Sequence, residues 1–141
     1  MRKPFGFQTT SIVLASAALG LAVAQAAAVA DSAHRTRPFT GAKVNGGSVS
    51  HARDGKKDVL TLSDDFKVPD APAPHWQLVD TRGDVYLLQR LVVKGDKFNK
   101  TIVVPRYIRD IAKVQIWCAW AETLLGETAF EKPIRLGGAE K

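Results

Sequence analysis

Across residues 39–130 the chain alternates short apolar runs with clusters of Gly, Pro, Asp and Asn, the rhythm of an all-β sandwich or barrel rather than of helices. Asn45-Gly46-Gly47 and Asp54-Gly55 are tight-turn signals, and strands are expected on either side of each. Residues 48–52 and 58–62 read as a hairpin with Val49, Leu60 and Leu62 on its inward face. Pro69, Pro72 and Pro74 lack the amide donor that a ladder needs, so a loop follows, packed by Phe66 and Trp76. Residues 76–80 and 85–93 should pair around Arg82-Gly83-Asp84. The second of these is apolar at almost every position, which predicts a central strand covered on both faces. Residues 102–104 form a shorter strand ended by Pro105.

Ile108 and Ile111, three apart, predict a helical turn over residues 107–113. Residues 114–121 carry the strongest β pattern: Val114, Ile116, Cys118 and Trp120 fall on one face, and Gln115, Trp117, Ala119 and Ala121 on the other. With a Trp on each face, this strand too should be central. A last strand is expected around residues 128–130, and Gly137-Gly138 opens a polar tail. The prediction is one β domain over residues 39–131, a β-sandwich or flattened barrel of short, mostly antiparallel strands, followed by a tail over 132–141.

The first thirty residues break this rhythm. Arg2 and Lys3 precede an uncharged apolar stretch at 12–23, and Ala-Gln-Ala at 24–26 and Ala-Val-Ala at 28–30 fit the small-residue cleavage pattern. That layout predicts a secretory signal peptide over 1–30, cleaved after Ala26 or Ala30, and export to the periplasm or the cell exterior. The apolar core is shorter than the roughly 20 residues that span a bilayer, so no membrane span is expected after cleavage. Residues 31–38 are small and polar and read as a flexible leader. What remains is about 110 residues, enough for one domain and not for two. Losing Arg2 and Lys3 lowers the formal charge from +6 to +4, and the remaining Lys and Arg are scattered, which argues against nucleic acid as a partner.

Cys118 is the single cysteine. In an exported chain it has no intrachain disulfide partner, so the thiol is buried and inert, bound to a metal or haem, paired with another protein chain, or reactive. Its sequence neighbours Ile116, Trp117, Ala119 and Trp120 are apolar, surroundings that raise a thiol's pKa and favour a structural role. Redox use would need an envelope redox partner, a sulfenic acid or a bound metal or haem, because there is no second sulfur. His51 and His75 are weak candidates to join Cys118 as metal ligands, and His34 lies in the leader; no His-x-His or Cys-x-x-Cys spacing supports such a site. Asp64, Asp65 and Asp70 read as loop carboxylates rather than a Ca²⁺ site. Trp76, Trp117 and Trp120 are candidate pocket residues, with plain core packing as the alternative. Hydrolase, phosphate-loop and zinc-protease motifs are missing, which points away from an enzyme.

Several of these segments together resemble a known family. Val114-Gln-Ile-Trp-Cys118-Ala-Trp120, then Leu125-Gly126 and Ala129-Phe130, is similar to the signature of the DM-thirteen domain, found beside DOMON domains in Skeletor-type animal proteins and alone in exported bacterial proteins. Gly46-Gly47-Ser48-Val49, Leu60-Thr-Leu62 with Asp65-Phe66, and Val104-Pro105 resemble its earlier elements, so the likeness spans residues 39–131. The chain departs from the pattern at Pro72-Ala73-Pro74-His75-Trp76 and at Ile102. The resemblance implies a redox-associated or electron-transfer domain using Cys118 as ligand or redox thiol, beside Trp120. The alternative is a non-enzymatic binding or interaction module of the cell envelope, with Cys118 in the core.

Overall fold

The computed structural model describes residues 34–94 and 97–137. The expected signal peptide, with its cleavage after Ala26 or Ala30, lies outside the described residues. The chain forms strands β1 (Val49–Asp54), β2 (Lys57–Leu62), β3 (Pro74–Val79), β4 (Val85–Arg90), β5 (Val93–Lys94), β6 (Lys97–Phe98), β7 (Thr101–Val103), β8 (Asp110–Cys118) and β9 (Thr123–Arg135). Among the described residues there is no helix long and apolar enough to cross a membrane. Strands β1-β2-β7 make one antiparallel sheet and β4-β3-β8-β9 another, with β5-β6 as a small ribbon. The two larger sheets pack together as a β-sandwich, as the apolar rhythm predicts.

The β1–β2 hairpin follows its sequence closely. Asp54 pairs with Lys57, leaving Gly55-Lys56 as a two-residue loop, and Gly55 takes the left-handed φ of 60° at its first position, the pattern of a type II′ turn. Val49, Leu60 and Leu62 are buried, facing Trp76, Leu78, Val114 and Ile116 of the other sheet within one core. In β8, Val114, Ile116 and Cys118 alternate with half-buried Gln115 and Trp117, and β3 and β9 flank the strand on both sides.

Four expectations are corrected. Strand β4 is at the edge of its sheet, not the centre, and its apolar Val85 (57% exposed) and Leu87 (50%) face outward. Residues 107–113 form no helical turn: β8 starts at Asp110, and a bulge between Ile111 and Lys113 shifts the alternation, so that Ile111 and Val114 both point inward although three apart. Strands do not flank Asn45-Gly46-Gly47 on both sides. Phe39–Gly47 is a closed loop instead, held by Phe39 N–H to Gly47 O (2.9 Å), Gly46 N–H to Phe39 O (2.9 Å) and the Asn45 side chain on Gly41 O (2.7 Å).

The last correction concerns both ends of the domain. Within the predicted leader 31–38, residues 34–38 are tied to the sandwich: Arg35 bridges to Ser50 of β1, Thr36 to Phe130 of β9, and Arg37 N–H donates to Ala129 O at 3.2 Å. Further on, Thr40 bridges to Glu127, and the amides of Lys43 and Val44 donate to Leu125 O. This strap pairs with the outer edges of β1 over residues 49–51 and of β9 over residues 125–130, joining the two sheets along one side and covering those parts of both edges. At the other end the predicted tail is part of the fold, because β9 continues to Arg135 and buries Ile134, with Leu136 buried behind it.

Candidate functional site

Cys118 ends β8, with Pro74 of β3 and Thr123 of β9 as its register partners. Its side chain points into the sandwich and is 1% exposed. Beyond it the chain turns sharply, with Glu122 in the left-handed region at φ 49° and Ala119 N–H donating to Ala73 O at 3.0 Å. The amide of Ala121 foremost, against the opposing effect of burial, and then those of Ala73 and Trp120 with the positive charge of Lys43, hold the thiol below its ordinary value. The apolar side chains beside Cys118 had implied a raised pKa. The reversal comes from the main chain, whose direction at a turn the residue types do not encode.

The three tryptophans do not share a pocket. Trp120 is not on the inward face expected of it, because β8 ends two residues earlier; it stands in the turn, 77% exposed. Trp117 is half-buried on the outer face, and Trp76 is fully buried in the core. The indole Nε1–H of Trp76 has no hydrogen-bond partner among the described residues.

Nor do the histidines gather around Cys118. His75 sits opposite Trp117 on the outer face, its Nδ1–H donating to Ala73 O at 2.8 Å. His51 is buried in the three-stranded sheet, where its Nε2–H donates to Asp58 Oδ1 at 2.9 Å. With Nε2–H donated to Asp58, the neutral tautomer of His51 presents Nδ1 as an acceptor, and His34 Nδ1 lies 3.0 Å from it. The rings are 20° from coplanar and their centroids 5.3 Å apart, little more than the contact plus two ring radii. They therefore meet edge to edge along an N–H···N line, the geometry of a shared proton rather than of two lone pairs converging on a metal. Among the described residues no group of three or more His, Cys, Asp or Glu side chains is placed to hold a metal ion. Asp64 is exposed and paired with Lys100 at 2.8 Å, which lowers its pKa, as suits a loop carboxylate.

The outer face of the four-stranded sheet carries a feature that single-sequence reasoning missed. Gln77, Gln115 and Glu127 stand in register on β3, β8 and β9; Gln77 Nε2 donates to Gln115 Oε1 at 2.7 Å, and Gln115 Nε2 to Glu127 Oε2 at 2.9 Å. Leu87 lies opposite Gln77 on the edge strand, and the His75–Trp117 pair forms the next row. Each of these residues occupies an outward position in its own strand, but only the cross-strand register makes them a row. A search against protein-family models, curated proteins and solved structures finds no match for this chain.

Proposed function

We propose that this is an exported, non-enzymatic binding module of the DM-thirteen type that meets a cell-envelope protein through the outer face of its four-stranded sheet. The observation that carries the reading is the row Leu87, Gln77, Gln115 and Glu127 with Trp117 beside it: hydrogen-bonded amides, with Gln77 buried and Gln115 and Glu127 half-buried, next to exposed Leu87 and half-buried Trp117. The burial of Cys118 fits a core role for the thiol. The test is thiol-reagent titration of the native protein, with visible absorbance and elemental analysis of the freshly purified material. No thiol reaction before denaturation, no absorption band and no bound metal support the binding module; an absorbing cofactor held through Cys118 overturns it.

One observation favours a second reading. The amides beside Cys118 hold its thiol pKa below the ordinary value, a shift in the direction of the thiolate, which is the form that binds a metal or haem or attacks an oxidised partner. In that case the domain is redox-associated or electron-transferring, and Cys118 is its ligand or redox thiol. Rapid thiol reaction in the native state supports it.

A further inference from the structure

A cavity of about 230 Å³ opens where the β1–β2 hairpin meets the segments after β7 and β9, at the end of β8 opposite to Cys118. Buried Val104, Ile108 and Leu136 supply its apolar floor. Lys56, Lys57 and Arg106 stand around it, all exposed. These three cations form no ion pair and no side-chain hydrogen bond among the described residues, whereas Arg82, Lys100 and Lys113 each pair with a carboxylate.

The one acid in the lining, Asp58, does not neutralise them. Its Oδ1 accepts from His51 Nε2 at 2.9 Å and lies 3.8 Å from Arg53 Nε, while its Oδ2 accepts the amide of Gly137 at 3.0 Å. Both carboxylate oxygens are thus engaged inside the protein, and the mouth keeps its positive charge. An apolar floor beneath unpaired cations matches a ligand with a hydrocarbon tail and an anionic head. A neutral ligand would leave the cations unanswered, and a small inorganic anion would leave the floor unused. The cavity is smaller than the roughly 300–1,000 Å³ that holds a drug-sized molecule, so the tail must be short.

We propose that this cavity binds a short straight-chain carboxylate, tail against Val104, Ile108 and Leu136 and head group between Lys56, Lys57 and Arg106. The site is separate from the outer sheet face, so either can fail without the other. The experiment is calorimetric titration with octanoate, acetate and 1-octanol, together with amide chemical-shift mapping. Octanoate should bind saturably and shift amides around residues 56–58, 103–108 and 136. Acetate, lacking the tail, and 1-octanol, lacking the charge, should each bind at least about tenfold more weakly. Replacing all three cations (K56Q, K57Q, R106Q) should weaken octanoate by about tenfold, the scale expected of a few solvent-exposed charge contacts, and leave 1-octanol unchanged. All three positions are exposed, so the variant should keep the fold, and a wild-type-like amide spectrum checks it. Octanoate binding that is absent, equal in the triple variant, matched by acetate, or mapped to the outer face overturns the proposal. So does a response to anionic vesicles without any response to monomeric octanoate.

Discussion

Trp76 and Asp80 lie on and just beyond β3, both buried, and opposite states of satisfaction set what each contributes. The unpartnered Nε1–H of Trp76 costs about 1–3 kcal/mol of desolvation, which offsets part of what its large buried surface returns. Trp76→Phe is therefore expected to change stability by only about 1 kcal/mol, well short of the roughly 3–5 kcal/mol of an aromatic-to-Ala truncation. Urea denaturation measures it, and a loss of the larger size would mean that the indole N–H is bound. Asp80 is the reverse case. Burial works to raise its pKa, but the amides of Asp84 and Arg82 (2.9 Å each), the Tyr86 hydroxyl (3.0 Å) and the Arg82 guanidinium together hold it below the usual carboxylate value. A carboxylate lowered by folding stabilises fully above its unfolded value, near 3.9, and loses that contribution as pH falls through the lowered folded value. Denaturation midpoints measured from neutral pH downward should fall through this acid window, and Asp80→Asn should flatten that part of the profile. An unchanged slope would remove Asp80 from the account.

At the scale of elements, the strap decides what the strands alone leave open. Thr36 Oγ1 accepts the buried amide of Val49 at 2.9 Å, so Thr36→Val, nearly the same shape, leaves that amide without a partner and should cost about 1–3 kcal/mol. Where the strap crosses β9, a Cβ on Gly126 would come within 2.7 Å of Val44 Cβ and 2.8 Å of Val44 O. Gly126→Ala is expected to cost about 1–3 kcal/mol by overpacking, read as a lower urea midpoint with an unchanged slope. Leu125-Gly126 thus has a packing reason that is legible only once the strap is in place. The hairpin β1–β2 was legible because turn chemistry and alternation act within a dozen residues. Edge and centre are a different matter: the run at 85–93 has the apolar content of a covered strand, yet among the described residues no strand lies beyond β4 in its sheet. The Ile108–Ile111 spacing likewise fits a helix or a bulged strand equally well, and the pairing of Ile111 with Ile134 selects the strand.

Across the whole molecule, the bonds that close the sandwich join residues some ninety positions apart, Thr36 with Phe130 and Thr40 with Glu127. Such non-local pairing places folding in the slow range of β proteins, about milliseconds to seconds. Removal of residues through Pro38 bares the outer edge of β1 and part of that of β9, and the truncated protein should self-associate more than the intact one, measured by light scattering across concentrations; equal behaviour would deny the strap its covering role. The same distance effect separates what was legible in the chain from what was not. Alternation, Gly and Pro punctuation and a cysteine with no second sulfur determined an all-β domain, its first hairpin, the inward faces of β1, β2 and β8, and the burial-prone position of Cys118, because these depend on residue type and near neighbours. The strap, the edge position of β4, the amides turned toward Cys118, the glutamine row and the cation-rimmed cavity were decided only by tertiary structure. Each is made by groups far apart in the chain, and their meeting depends on cross-strand register and backbone direction, which no local pattern specifies.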